Sequence, residues 1–309
     1  MEEVIVIVGP TCSGKTKLCL LLSERLNIEI ISADSRQIFK LLDIGTAKPT
    51  LADLKKIKHN FVDELNPDED FNASIFAEKS EIIIQEIINK NKNPIVVGGS
   101  GLYVKALIDG ISESTDSNEE IRISLLTLRQ KFGNDYLYNE LKKVDEVSAS
   151  KMLPQNWKRV MRALEVYQLT GKPIWQHHEK EIKQSKFNFK QFGLLWNREV
   201  LYKNIEIRVD EMIDLGLIDE VTSVLDFGYS KSLNALNTVG YKEIIQYLEE
   251  EITLDRAIEL IKRNTRRYAK RQMTWFNADK RIDWYNIKSE NDLVNLADKI
   301  AKEINERKN

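Results

Sequence analysis

Residues 9–16 read GPTCSGKT, and every position of the phosphate-loop pattern G-x-x-x-x-G-K-[ST] is filled: Gly9, Pro10, Thr11, Cys12, Ser13, Gly14, Lys15 and Thr16. Glycines let backbone N–H groups wrap an anion. The following helix adds its dipole, Lys15 a point charge, and the Thr16 hydroxyl a ligand for Mg²⁺. Such a loop holds a phosphate without saying whose. A GTPase would carry Asp-x-x-Gly, which is absent, and the nearest approach to Asn-Lys-x-Asp, Asn89 to Lys92, lacks the aspartate. An ATPase would place an acid at the end of an apolar strand, yet Ile95-Val96-Val97 runs into Gly98-Gly99. The strand that does lead to an acid is IEIISAD, which delivers Asp34. Spacing leaves three roles open for Asp34: metal ligand of a kinase, helix cap with Gln37 in capping-box position, or general base.

A second concentration of chemistry lies at 256–277, RAIELIKRNTRRYAKRQMTWFN. Arg256, Lys262, Arg263, Arg266, Arg267, Lys270 and Arg271 face the single acid Glu259. Ala257, Leu260, Ile261 and Tyr268 form one buried stripe, and the plain reading gives the cations the solvated side. The charge imbalance, with Tyr268, Trp275 and Phe276 interleaved, suits backbone phosphates better. Net charge is only −2 over 309 residues, which argues against nonspecific coating of nucleic acid.

Other chemistries lose ground. The two cysteines, Cys12 and Cys19, make neither a disulfide framework nor a metal knuckle. His59, His177 and His178 do not fit HExxH, so a protein-ligated zinc is not expected. No apolar run approaches the roughly 18 residues of a membrane span, and VIVIV follows the start without a basic leader. The expected setting is the cytoplasm, with no membrane partner and a monomeric state.

The elements that must position these residues follow from periodicity. EVIVIV is too short for a helix and reads as a strand; after the loop, Leu18, Leu21, Leu22 and Leu26 recur at helical spacing. A helix capped by Asn72 or Ser74 runs through Ile75, Phe76, Ile83 and Ile87, and Pro94 introduces the strand IVV and the loop GGSG. Alternating strands and helices imply a parallel sheet covered on both faces. The alternation breaks at the polar connection ISESTDSNEE; helices follow to about 185, strand character returns at FKQFGLLW, and RIDWY reads as a last strand. The expected fold class is therefore α/β: a P-loop NTPase-like parallel sheet flanked by helices, residues 1–112 and 187–309, with an all-helical domain inserted at 113–186.

ISADSRQIFKLLDIGTAKP (31–49), PIVVGGSGLYVKALIDG (94–110) and NTRRYAKRQMTWF (264–276) closely resemble the tRNA dimethylallyltransferase family. The resemblance extends over essentially the whole chain, including NWKRVMRALEVYQLTGKP, REVLYKNIEIRVDEM and VGYKEI. It implies transfer of a five-carbon prenyl group from dimethylallyl diphosphate to N6 of adenosine 37, beside the tRNA anticodon. Eukaryotic members often carry a zinc-finger tail, whereas this chain stops shortly after its last helix, so the bacterial form is expected.

The resemblance assigns roles residue by residue. Asp34 becomes the base that takes the N6 proton, and the phosphate loop with Mg²⁺ on Thr16 clamps the departing diphosphate. Arg208, otherwise a solvated helix arginine, joins the clamp; the family often has another arginine one turn earlier, where this chain has Asn204. Adenosine 37 must be turned out of the anticodon-loop stack. Asp34, Ser35, Arg36 and Gln37 are implied to contact the flipped base and its neighbour. Ser100 (usually threonine), Arg122, and Lys158, Arg159, Val160, Met161 and Arg162 are implied to contact tRNA. Asn156 replaces an acid common just before that run. Cys12 stands where alanine is frequent and reads as a small filler. Two rivals remain: a small-metabolite kinase, for which no lid arginine set is found, and prenyl transfer to free adenine nucleotides, which needs neither the basic helix nor the insert.

Overall fold

The computed structural model describes residues 2–111, 118–178 and 185–308. In chain order its elements are β1 (Glu3–Val8), α1 (Lys15–Ser23), β2 (Ile28–Ser32), α2 (Leu51–Lys56), β3 (His59–Asn60), α3 (Ala73–Asn89), β4 (Asn93–Gly98) and α4 (Gly101–Asp109). Then come α5 (Glu119–Val144), α6 (Glu146–Ala149), α7 (Trp157–Thr170) and α8 (Ile174–His178). The chain finishes with β5 (Asn188–Trp196), α9 (Arg198–Asp214), α10 (Leu217–Asp226), α11 (Tyr241–Leu248), α12 (Leu254–Phe276), β6 (Ile282–Ile287) and α13 (Glu290–Lys308).

The six strands form one sheet in the order β3-β2-β4-β1-β5-β6, every pairing parallel. β1 lies centrally, Ile5 beside Ile95 and Ile7 beside Phe192. Val4 to Val8 are all buried, as expected for a strand covered on both faces. On one face Leu18 and Leu22 of α1 meet Leu293, Leu296 and Ile300 of α13 over Ile5, Ile7 and Phe192. The expected strands FKQFGLLW and RIDWY are β5 and β6. Asn72, not Ser74, caps α3: its side-chain oxygen accepts from the N–H groups of Ser74 and Ile75. α2 and the two-residue β3 are too short for a periodic signal.

The chain divides into two compact units, 1–108 with 186–309, and 109–185. The second begins a few residues earlier than the expected 113; the polar connection there lies partly, at 112–117, outside the described residues. It has its own core of Leu125, Leu137, Leu141, Val160, Ala163 and Leu164, and Gly133, at φ 84°, breaks α5 into two stretches. No described helix is long and apolar enough to cross a membrane.

Candidate active site in the α/β unit

β1, β2 and β4 are parallel neighbours, so the segments after Val8, Ser32 and Gly98 emerge side by side at their carboxyl ends. Ligands of open parallel sheets bind at that edge. A cavity of about 550 Å³ opens there, with Lys15, Thr16, Asp34, Gln37, Arg208 and Tyr268 among its lining residues.

Gly14 starts α1 from φ 86°, a left-handed conformation that favours glycine, and Cys12 adopts φ 62° inside the loop. Lys15 Nζ donates to the carbonyls of Gly9 (3.0 Å) and Pro10 (2.7 Å), folded across its own loop. Burial lowers the Lys15 ammonium to about 8; Asp34 opposes that shift and Arg208 adds to it. Arg208, projecting from α9, reaches Thr11 Oγ1 (3.4 Å) and Cys12 Sγ (3.5 Å). Cys12 also packs against Leu201, Ile205 and Ala269, so it seats the loop on α9 and α12, in keeping with a filler. Ser13 Oγ is buried without a hydrogen-bond partner among the described residues. Burial pushes the Cys19 thiol up to about 12, which keeps it protonated and inert.

Asp34 Oδ1 accepts from the backbone N–H groups of Arg36 (2.9 Å) and Gln37 (3.4 Å), fixing a turn rather than a helix start. The capping-box alternative therefore fails: Gln37 Nε2 donates instead to the carbonyls of Thr46 (3.3 Å) and Ala47 (3.0 Å). Asp34 Oδ2 makes no hydrogen bond among the described residues. Ser35 N–H donates to Ser100 Oγ (3.1 Å), which ties β4's glycine loop to the Asp34 turn. Arg36 donates to the Asn234 carbonyl at 2.7 Å.

Residues the sequence reading passed over complete the frame. Gln272 on α12 accepts from Thr11 N–H (2.9 Å) and donates to the Gly99 carbonyl (3.0 Å), so one side chain joins the phosphate loop to the GGSG loop. A Cβ on Gly99 would lie 2.2 Å from Gln272 Nε2, which explains the glycine there. A polar residue in register with the buried Ala269 and Phe276 was the available signal. Trp196 at the end of β5 donates to the Ser13 carbonyl at 2.9 Å.

The basic helix is less free than its composition implied. Lys262 pairs with Asp210 and Arg266 with Glu206, both acids on α9, while Arg256 pairs with Glu259. Arg263 has its Nε buried without a partner among the described residues. Arg267, Lys270 and Arg271 are exposed, and Arg271 also lines the cavity, its guanidinium 5.7 Å from the Tyr268 ring. Among the residues implied for tRNA contact, those of the insert form a separate group. Arg122 (2.9 Å) and Arg162 (2.7 Å) donate to opposite oxygens of the buried Glu165 carboxylate. Lys158 and Arg159 are exposed and Met161 is half-buried against the insert core. Val160 is a correction: it is fully buried in that core, one turn from Ala163 and Leu164, and its side chain has no surface to offer RNA.

Residues 37–279 match the family model described as IPP transferase. The chain belongs to the IPP transferase family. It is 48% identical to a tRNA dimethylallyltransferase of Acetivibrio thermocellus over 93% of this chain and 92% of that one. A crystal structure of the tRNA isopentenylpyrophosphate transferase of Bacillus halodurans superposes with a TM-score of 0.73 at 36% identity, covering 100% of this chain and 98% of that one. A eukaryotic dimethylallyltransferase described as acting on tRNA gives 0.75 at 28% identity, covering 93% and 74%. As an IPP transferase the chain is a transferase, and its phosphate loop, Asp34 and Arg208 belong to one cavity.

Proposed function

We propose that this protein transfers the dimethylallyl group of dimethylallyl diphosphate to N6 of adenosine 37 in tRNA and releases diphosphate. The observation that carries this reading is that a carboxylate, Asp34, and a phosphate loop face one cavity. A kinase would use the loop to hold a nucleotide whose terminal phosphoryl group departs; here the anion held is itself the leaving group.

In the step, N6 of the adenine attacks the allylic carbon, the carbon–oxygen bond breaks with its electrons on diphosphate, and the nitrogen's proton goes to a carboxylate. Asp34 supplies that carboxylate: Oδ1 is held by the turn and Oδ2 remains to accept the proton. Backbone N–H groups of the loop, Lys15 and Arg208 oppose the charge that grows on the departing oxygen. The Ser13 hydroxyl, buried without a partner among the described residues, is one more donor an anion would satisfy. Mg²⁺ suits the loop: Thr16 offers a hydroxyl at the start of α1, and magnesium binds through few protein ligands plus water and substrate oxygens. Bound there, it would supply additional charge neutralisation for diphosphate.

The exposed Arg267, Lys270 and Arg271, together with Arg122, Lys158, Arg159 and Arg162 of the insert, supply cations for the tRNA backbone. A single chain contributes both the loop and Asp34, so the working form proposed here, a cytoplasmic monomer, needs no partner subunit to complete the site. The test is incubation with unmodified tRNA carrying adenosine at 36 and 37, free AMP and ATP, and labelled dimethylallyl diphosphate. Label on adenosine 37 supports the reading. Label on the mononucleotide, or phosphate transfer from ATP to a small acceptor, overturns it.

A further inference from the structure

Beyond the loop and Asp34, the cavity is bounded by a third segment, Gly45, Thr46, Ala47 and Pro49. It lies between β2 and α2, outside any strand or helix, and its local bonds are those of a turn: Thr46 Oγ1 donates to the Leu42 carbonyl (2.6 Å), and the N–H groups of Ala47 and Lys48 donate to the carbonyls of Ile44 and Asp43 (both 3.0 Å). Its anchor is a side chain far along the chain. Glu220, in the first turn of α10, accepts from the backbone N–H groups of Asp43 (2.9 Å) and Ile44 (2.6 Å) at Oε2 and of Gly45 (3.0 Å) at Oε1. Tyr241, fully buried at the start of α11, donates its hydroxyl to Glu220 Oε1 at 2.5 Å. The Tyr241 ring lies where a Cβ on Gly45 would meet it at 2.4 Å. Four donors on one carboxylate form a charge-assisted cluster of unusual density for a loop. From the other side Gln37, three residues after Asp34, donates to the carbonyls of Thr46 and Ala47.

We infer that Glu220 is a positioning residue that fixes the Gly45–Pro49 wall of the cavity, and that this wall sets which allylic diphosphate the site accepts. The inference rests on the proposed function. The attacked carbon must lie between the phosphate loop and Asp34, and the wall is tied to the Asp34 turn through Gln37. The hydrocarbon beyond that carbon therefore abuts the small residues of the wall. A wall fixed by a carboxylate is rigid enough to reject a longer chain. A loosened wall loses contact with the five-carbon group and gains room for ten.

Glu220→Gln tests this, because the amide keeps the shape but turns an acceptor into a donor facing N–H or phenol groups. Direct binding of dimethylallyl diphosphate to the full chain should weaken on the order of tenfold, a loss typical of an unsatisfied buried donor. The preference for dimethylallyl over geranyl diphosphate in kcat/KM should narrow by about the same factor, while tRNA affinity stays within about twofold. Tyr241→Phe removes one donor only and should move both quantities in the same direction by less, keeping the test open if the first variant does not fold. Wild-type donor affinity and wild-type donor preference in a folded variant would overturn the assignment. So would equal loss of affinity for both donors with their ratio unchanged. A wild-type chain that binds the donor but prenylates no tRNA would instead sink the proposed function, an outcome distinguishable from either.

Discussion

The phosphate loop and the segment Asp34–Ala47 border one cavity, but they are fixed by different means. In the loop, the turn is written into eight consecutive residues: Gly14 takes the left-handed start of α1, and Lys15 bonds back to Gly9 and Pro10. Gln272, Trp196 and Arg208 only add to a shape the loop already has. The Asp34 segment has local bonds too, the turn on Asp34 Oδ1, Gln37 on the Thr46 and Ala47 carbonyls and Thr46 Oγ1 on that of Leu42, but it is tied into the site by Ser100, Asn234 and Glu220, up to 198 residues away. Substitutions in the loop should therefore act through the chemistry of the side chain removed. Around the Asp34 segment they should act through position, including from residues that touch no substrate.

Asp34→Ala should break the comparison most severely. With Asp34 as base, kcat falls about 10²- to 10⁴-fold while tRNA affinity, measured by filter binding, is retained. Near-normal turnover would remove Asp34 from the chemistry and leave the turn as its whole role.

Lys15→Ala comes next, with a loss of about 10²- to 10³-fold in kcat/KM for the diphosphate donor, the scale of one lost oxyanion donor. The same residue predicts a pH effect. Burial brings Lys15 down to about 8, so its charge, and with it donor affinity, should fall as pH rises through that value. In the ligand-free protein the folded value lies below the free-lysine 10.5, so folding expels a proton between about 8 and 10.5 and stability contributed by this group rises across that window. Donor kcat/KM that is flat from pH 7 to 9.5 would contradict the assignment.

The difference between these regions also decides what could be read from sequence. GPTCSGKT was legible because its conformation and its chemistry reside in the same eight letters, β1 because it is a short apolar run, and β5 and β6 because of their aromatic-rich strand character. Asp34 was legible as an acid at a strand end, but its capping partner was not: a Gln three residues on fits a capping box on paper, whereas the fold brings the Thr46 and Ala47 carbonyls closer. Gln272 and Glu220 went unrecognised because their partners, Thr11 with Gly99 and Asp43 to Gly45, are set by topology rather than spacing. For the basic helix, composition overstated the free charge, since the acids that pair with Lys262 and Arg266 lie on α9.

That last point gives a smaller effect. Arg267→Ala, which removes an exposed cation without a pairing acid on α9, should weaken tRNA binding uniformly across sequences and reduce the slope of log K against log salt by about 1. Arg266→Ala, already paired with Glu206, should change the slope less. Equal slopes for the two would mean that the pairing on α9 is irrelevant to RNA. The smallest effect should come from Ser100→Ala, which removes the acceptor for Ser35 N–H. A cost of about 1 kcal/mol predicts a severalfold loss of kcat through the Asp34 turn, restored by Ser100→Thr.

The central claim is that the phosphate loop holds a leaving group, not a phosphoryl donor. It is tested most directly with dimethylallyl diphosphate carrying ¹⁸O in the bridge between carbon and phosphorus, turned over on unmodified tRNA. Cleavage of the carbon–oxygen bond places the bridging ¹⁸O in the released diphosphate and the five-carbon group on tRNA. Recovery of the ¹⁸O in dimethylallyl alcohol with the diphosphoryl group on an acceptor, or in dimethylallyl monophosphate with one phosphoryl group on an acceptor, would contradict it.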